Sequence, residues 1–225
     1  MFRWISSFIL PVLIFGGLLF LPAPTWRWGR AWIFLAVVFA CNAATLLAVF
    51  RQNEGLLDER YKAPLQKGQP VADKVVLLAL ISSFIVLGAL IPLDVFRFHL
   101  FPEPRAWASA LGLALFVAGW LLIALAFREN SFAAPVVRHQ KERFQTVIDT
   151  GVYARVRHPL YAGAVPVMFG MPLWFNSYAA ALFAIVPIGI LVLRIQIEEK
   201  FLRKELKGYE SYTKRVRFRL IPWLW

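Results

Sequence analysis

The stretch from Leu160 to Leu193, LYAGAVPVMFGMPLWFNSYAAALFAIVPIGILVL, runs for 34 residues without Asp, Glu, Lys, Arg or His. As a single helix it would be about 51 Å long, which exceeds the roughly 30 Å hydrocarbon core of a bilayer. Asn176 and Ser177 interrupt it near the middle, and its three prolines favour bends. The stretch therefore predicts a helical hairpin in the membrane, with arms over residues 160–175 and 178–193.

Four further stretches without charged residues or histidine precede the hairpin, and each is close to the ~20 residues that cross a bilayer: Trp4–Thr25, Ala31–Phe50, Val75–Leu93 and Ala106–Phe127. The chain is 60% hydrophobic and 17% charged, whereas soluble domains are about 45–50% apolar and about 25% charged. The predicted fold class is an all-α polytopic membrane protein with four transmembrane helices before the hairpin. The first stretch resembles a secretory signal but is longer than the usual apolar core of one, so we interpret it as the first membrane helix.

Basic residues are concentrated on one side of the predicted topology. Of the 25 Lys and Arg residues, four fall in residues 26–30 and 97–105, whereas 21 fall at the amino terminus and in residues 51–74, 128–157 and 194–225. Positive charge marks the cytoplasmic side, which predicts a multi-pass protein with both termini in the cytoplasm. The net charge of +12 lies beside the membrane segments, which favours membrane lipids as partners and argues against nucleic acid.

The residues after the hairpin have the pattern of an amphipathic helix over Arg194–Lys214. Four apolar residues recur on one side at helical spacing: Ile195, Leu202, Leu206 and Tyr209. Gly208 is a plausible bend, and the aromatic tail of residues 218–225 suits the membrane interface.

Two clusters of polar residues at the edges of the hairpin are candidates for chemistry. The first is GVYARVRHPLY, residues 151–161, in which Pro159 suits the first turn of a helix whose amino terminus favours an anionic ligand group. The second places Arg194 and Glu198 four residues apart, on one face of a helix and beside an apolar stripe. Interfacial anchoring for the first cluster and an ordinary surface ion pair for the second remain open alternatives.

A metal site is not expected from the sequence. The single cysteine, Cys41, lies in an apolar stretch, and the three histidines lack ligand spacing: His99, His139 and His158.

The order of these motifs resembles the isoprenylcysteine carboxyl methyltransferase family over roughly residues 128–222. The resemblance rests on Gly151-Val152-Tyr153, Arg157-His158-Pro159-Leu160-Tyr161, the hairpin, Glu198-Glu199, and the tail with Gly208-Tyr209, Tyr212, Arg215 and Pro222. It implies S-adenosylmethionine as cofactor, with these residues around it: Gln145, Thr146, Val147, Ile148, Tyr153, His158, Pro159, Leu160, Tyr161 and Glu198. It also implies that Arg194 faces the carboxylate of the methyl acceptor. Two positions depart from the family, because Gln145 replaces a histidine and Arg138 replaces a neutral polar residue.

The resemblance implies an integral membrane enzyme that transfers a methyl group to a lipophilic acceptor entering from the bilayer, with Arg194 and Glu198 as catalytic residues. The expected division is a scaffold with a possible lipid entrance over residues 1–127 and a cofactor-binding region over residues 128–225. The type reaction is methyl esterification of a prenylated cysteine, and a lipid amine or a thiol is an alternative acceptor. Two alternatives belong to other functional classes: an NADPH-dependent reductase of sterol-like lipids, and a non-enzymatic scaffold or transporter.

Overall fold

The computed structural model describes residues 2–51, 53–66, 68–102 and 105–225, with side chains from Ser6 onward. This part of the chain is all-helical, as predicted. Its helices are α1 (Phe2–Phe20), α2 (Gly29–Thr45), α3 (Glu54–Arg60), α4 (Val71–Leu93), α5 (Ala106–Glu129), α6 (Pro159–Trp174), α7 (Tyr178–Phe183), α8 (Ile185–Glu205) and α9 (Tyr209–Arg215). Wider π-helical turns extend α2 over Leu46–Phe50 and α4 over Asp94–Phe98.

Four helical segments in the described ranges are long and apolar enough to cross a membrane: Gly29–Phe50, Val71–Phe98, Ala106–Glu129 and Tyr178–Glu205. Three of them match predicted crossings, and the fourth is the second arm of the hairpin. The first predicted crossing contributes a shorter apolar segment, Ser6–Phe20. Helix α1 ends at Phe20, before Pro22 and Pro24, rather than at Thr25. The chain is thus an integral membrane protein of the predicted all-α class, and its first helix ends earlier than predicted, at Phe20.

The predicted hairpin is present, and its turn lies at the expected residues. Asn176 adopts a left-handed conformation with φ of 63°, and Ser177 caps α7 by accepting a hydrogen bond from the backbone N–H of Ala180 at 3.1 Å. The Ser177 hydroxyl also donates to Asp94 at 2.6 Å, which fixes the turn against the end of α4. The second arm breaks at Ala184 because Pro187 lacks an N–H and its ring crowds the carbonyl of Phe183.

The predicted amphipathic helix over Arg194–Lys214 is wrong as a separate element. Helix α8 continues through Arg194 to Glu205, since the sequence has no helix breaker between these residues. The change of direction comes at the predicted bend, where Gly208 has φ of +88° and α9 begins at the next residue. Arg194 and Glu198 therefore lie on the last turns of a membrane helix.

Helices α5 and α6 approach closely through glycines spaced seven residues apart. A Cβ at Gly163 would lie 2.6 Å from the carbonyl oxygen of Gly119 and 2.8 Å from Ile123. Gly112 and Gly170 make a second contact of the same kind two turns away. Small residues allow the backbones of membrane helices to pack in contact. This packing fixes the start of α6, and with it His158 and Tyr161, relative to the end of α5.

Candidate functional site

A cavity of about 450 Å³, called the main cavity below, opens between α4, α5, α6, α8 and the irregular segment 130–150. Its wall includes ten of the eleven residues that the resemblance implied: Gln145, Thr146, Val147, Ile148, Tyr153, His158, Leu160, Tyr161, Arg194 and Glu198. Pro159 differs, because it is buried in the first turn of α6 and does not line the cavity. Residues from four separate parts of the sequence thus meet around one space.

The carboxyl-terminal tail holds the start of α6 in place. The backbone N–H groups of Arg157 and His158 donate to the carbonyl oxygens of Phe218 and Arg219, both at 2.9 Å. The Arg157 guanidinium adds hydrogen bonds to the carbonyls of Val216 and Arg217, both at 2.8 Å. Pro159 then begins the helix at its first position, where a missing N–H costs nothing.

Glu199 is the centre of a buried ion network beside the cavity. Its carboxylate accepts from Arg157 Nε at 2.6 Å and from Arg219 Nε at 3.1 Å, and His158 Nε2 lies 3.3 Å away. The residue is 4% exposed and does not line the main cavity. Glu199 therefore joins α8 to the start of α6 and to the tail, and its bonding capacity is used within the protein.

Glu198, the preceding residue, faces the main cavity instead. It accepts a hydrogen bond from the Tyr161 hydroxyl at 2.7 Å, and His158 Nδ1 lies 4.0 Å from its carboxylate. The His158 and Tyr161 rings are stacked, with centroids 5.6 Å apart. The Glu198 side chain keeps 24% of its surface exposed. Its carboxylate is thus oriented by the protein and still accessible to a ligand.

Arg194 lines the cavity but already has strong partners in the protein. Its Nε donates to Asp73 at 3.0 Å, and its Nη2 donates to the carbonyl of Pro135 at 2.6 Å. Asp73, at the start of α4, is fully buried and also accepts from the backbone N–H of Val137 at 3.0 Å and from Gln69 at 2.6 Å. The pair therefore clamps residues 135–137 over the cavity. The bidentate edge of Arg194 formed by Nε and Nη2 is occupied, so only its remaining N–H groups are available to an acceptor.

The two positions that depart from the family pattern both have defined partners. Gln145 accepts a hydrogen bond from the backbone N–H of Gln140 at 2.8 Å. Arg138 pairs with Glu142 at 2.6 Å and with Glu59 of α3 at 2.9 Å. Burial alone raises the pKa of Glu59, but hydrogen bonds from Lys62 and Arg138 outweigh it and hold that pKa below its ordinary value. These residues therefore tie the 130–150 segment to itself and to α3.

Tyr209, from the predicted Gly-Tyr motif, brings an unsatisfied hydroxyl to the cavity wall. It is 4% exposed, and its buried oxygen has no hydrogen-bond partner among the described residues. Burial raises its pKa well above the ordinary value, so the phenol is neutral and able to donate. The nearby Tyr212 hydroxyl, in contrast, donates to the carbonyl of Tyr153 at 2.8 Å. A buried polar atom without a partner indicates a place for a ligand.

Sequence reasoning missed several residues that shape the cavity. Asp73 has a signal in the sequence, because it is an acidic residue just before an apolar crossing, where a buried charge needs a partner. Arg157 and Glu199 are inside the quoted motifs but have structural roles. Residues 1–127 also contribute wall residues that no local motif marks: Arg60, Leu77, Leu80, Ile81, Ile123 and Phe127.

These features define the class of protein: an integral membrane protein with a cavity lined by both charged and apolar side chains at one end of its helical bundle. The sequence model of the phospholipid methyltransferase family matches residues 107–208. The chain is also 29% identical to protein-S-isoprenylcysteine O-methyltransferase B of Arabidopsis thaliana over 49% of its own length and 57% of that protein. It is 29% identical to a probable protein-S-isoprenylcysteine O-methyltransferase of Oryza sativa subsp. indica, over 52% of this chain and 64% of the relative. The chain thus spans about three fifths of the length of the relatives it matches.

The predicted resemblance to isoprenylcysteine carboxyl methyltransferases is therefore confirmed over about half of the chain. The phospholipid methyltransferase model begins earlier than the predicted motifs, at residue 107 in α5, and ends at residue 208, before the tail. Both kinds of match are to methyltransferases.

Proposed function

We propose that this protein transfers a methyl group from S-adenosylmethionine to the carboxylate of a lipophilic acceptor, of which a prenylated cysteine is the leading example. The observation that carries the proposal is the convergence of residues 145–148, 153, 158, 160–161 and 198 on the main cavity. The similarity to the methyltransferases described above supports the same activity.

The donors and acceptors around the cavity fit the proposed cofactor. Glu198 offers an accessible carboxylate to an ammonium or ribose hydroxyl, and Tyr209 offers a hydroxyl that has no partner among the described residues. Residues 145–148 and Tyr153 supply the adjoining wall. S-adenosylmethionine, when bound, supplies a methyl group that its sulfonium has already activated.

The residues of this chain then need to align and desolvate the acceptor rather than activate it. A carboxylate, with an ordinary pKa near ~4, is ionised at neutral pH and requires no general base. His158 is buried between Tyr161 and Glu199, which suits a wall residue better than a proton carrier. Apolar side chains such as Leu80 and Ile123 exclude water that would otherwise solvate the attacking oxygen.

The proposed orientation places the main cavity on the cytoplasmic side of the membrane, together with both termini. The segments that the sequence assigns to the cytoplasmic side carry 21 of the 25 basic residues of the chain. A cytoplasmic position also gives the cavity access to S-adenosylmethionine. Labelling of single cysteines introduced at Arg155 and Arg97 by a membrane-impermeant reagent in sealed vesicles tests the orientation, because the two positions should label from opposite sides.

A lipid amine is the second candidate acceptor, because the matched family is described as a phospholipid methyltransferase. An amine needs to lose a proton before or during methyl transfer, so this reaction predicts a rate that rises with pH through the pKa of the amine. Esterification of a carboxylate predicts a rate that is nearly independent of pH above about 6.

Ligand binding and methyl transfer test the proposal directly. Purified protein in detergent is titrated with S-adenosylhomocysteine and, separately, with NADPH by calorimetry. Labelled methyl groups are then transferred to N-acetyl-S-farnesylcysteine and to a total lipid extract. We expect S-adenosylhomocysteine alone to bind, and a base-labile methyl ester to form.

Glu198→Gln is expected to weaken S-adenosylhomocysteine binding by at least about tenfold, because it removes a charged acceptor from the cavity wall. Glu205→Gln, on the same helix and outside the cavity wall, is the matched control. Binding of NADPH in place of S-adenosylhomocysteine, or equal binding by both variants, would contradict the proposal.

A further inference from the structure

A second cavity of about 450 Å³ adjoins the main cavity and is called the side cavity here. It lies between α1, α2, α3 and α5 and is lined by Ser7, Leu10, Pro11, Asn42, Thr45, Leu46, Phe50, Leu57, Arg60, Tyr61, Trp120, Ile123 and Phe127. Arg60, Ile123 and Phe127 also line the main cavity, so these three residues form the boundary between the two spaces.

The side cavity presents a mainly apolar surface because its polar groups bond to one another or to nearby backbone. Ser7 and Tyr61 are joined through their hydroxyls at 2.6 Å, and Asn42 donates to the carbonyl of Ser7 at 2.8 Å. Trp120 donates to the Thr45 hydroxyl at 3.1 Å. An apolar space of this volume within a membrane helix bundle suits a hydrocarbon chain.

Most of the arginines around the main cavity are paired with carboxylates. Three of the arginines that line it have a carboxylate partner: Arg138 with Glu59, Arg157 with Glu199, and Arg194 with Asp73. Arg60 differs, because no carboxylate of the described residues lies within ion-pair distance of it. A cation at a cavity wall without a counter-charge favours an anionic ligand.

Arg60 is held in position at the boundary by contacts that leave its charge unbalanced. Its guanidinium lies over the Phe127 ring, 4.4 Å from the centroid, and its Nη1 lies 3.4 Å from the carbonyl of Ala133. Surrounding protein and the charge of Arg194 lower the pKa of Arg60 to about 10, so it remains a cation at neutral pH. The Arg60 residue is exposed, and it lines both cavities.

We propose that Arg60 binds the anionic head group of the methyl acceptor, a carboxylate or a phosphate, while the apolar chain of the acceptor occupies the side cavity. The inference rests on the proposed function and adds the residue and the compartment that receive the acceptor. It assigns to Arg60 the charge recognition that the resemblance gave to Arg194, whose bidentate edge is held by Asp73 and Pro135. The head group then lies at the boundary, where its reactive atom faces the main cavity.

Binding of defined lipids to the full chain in detergent, without cofactor, tests the role of Arg60. The probes are N-acetyl-S-farnesylcysteine, its uncharged carboxamide, and dioleoyl phosphatidic acid, each followed by tryptophan fluorescence. Arg60→Gln is expected to weaken binding of the farnesylcysteine carboxylate by about 10- to 100-fold, and to leave the carboxamide within about twofold. Arg60→Lys should retain part of the preference, and Arg51→Ala, at an exposed arginine outside both cavities, is the matched control.

The outcomes separate the two proposals. If Arg60→Gln also weakens the binding of phosphatidic acid, phosphate is an accepted head group. If the wild-type protein does not bind phosphatidic acid, the site is restricted to the carboxylate. An unchanged preference for carboxylate over carboxamide in Arg60→Gln overturns the inference, even where the wild-type protein binds S-adenosylhomocysteine. Failure to bind S-adenosylhomocysteine overturns the proposed function, and the lipid comparison still decides the role of Arg60. Thermal unfolding of each variant confirms that lost binding is not lost folding.

The side cavity gives an independent measurement. Leu10 lines the side cavity but not the main cavity, so the larger side chain of Leu10→Trp narrows the side cavity alone. The variant is expected to lower the affinity for the farnesyl probe more than for the shorter geranyl probe. Equal loss for both chain lengths would mean that the chain lies elsewhere.

Discussion

Glu198 and Glu199 are adjacent in sequence but should respond oppositely to the same substitution. Glu199 is buried and binds Arg157 and Arg219, so Glu199→Gln leaves two guanidinium groups facing a neutral amide. Breaking a buried ion pair costs about 3–5 kcal/mol. We expect the lower value, about 3 kcal/mol, because Arg157 keeps two backbone carbonyl acceptors and Arg219 is one-third exposed. For a chain of this size, that loss lowers the unfolding midpoint by about 6–12 °C.

Glu198→Gln should change the stability little, because Glu198 has one hydroxyl donor and retains exposed surface. Thermal unfolding and S-adenosylhomocysteine binding are measured for both variants in the same detergent. The expected pattern is lost stability with retained affinity for Glu199→Gln, and lost affinity with retained stability for Glu198→Gln. The reversed pattern, or an equal fall in midpoint for both, would refute this assignment of structural and ligand-binding roles.

Two further changes test the packing and the pH dependence. Gly163→Ala forces a methyl group against the backbone of Gly119 and should lower the unfolding free energy by about 1–3 kcal/mol. The control is Gly189→Ala, which has open space around it and should not lower the unfolding free energy. Equal effects of the two substitutions in thermal unfolding would exclude the close contact as the cause. The lowered pKa of Glu59 means that its stabilising charge is fully present above its ordinary pKa of 4.5 and is lost as the pH falls through the lowered value. Glu59→Gln should therefore flatten the fall in unfolding free energy as the pH drops below 4.5, and an unchanged slope would contradict the role of this pair.

The elements that the sequence predicts well are those with a local signal. The hairpin follows from the length of an uncharged stretch and from Asn176-Ser177 at its centre, because a bilayer limits how long an apolar helix can be. The start of α6 follows from Pro159, whose preference for the first turn does not depend on the rest of the fold.

The end of the hairpin shows why helix boundaries at a membrane surface are harder to predict. The sequence predicts that a new helix starts at the first charged residue, Arg194. In the structure this charge is neutralised by Asp73, 121 residues earlier in the chain, so α8 continues without interruption. Composition alone does not predict such a long-range partner, since the two residues share no local pattern.

The candidate site shows a related limit, because motifs identify polar residues near the membrane but do not separate ligand contacts from structural ones. Arg157, Arg194 and Glu199 each have charged partners within the protein. These ion pairs offset the desolvation free energy of placing the charges in apolar surroundings. Glu198, Arg60 and Tyr209 line the same space, and the protein leaves each of them partly unsatisfied. A ligand contributes most where the protein itself has not supplied a partner. The recognition chemistry of this cavity is therefore expected from these three residues, and the charged network behind them keeps their positions fixed.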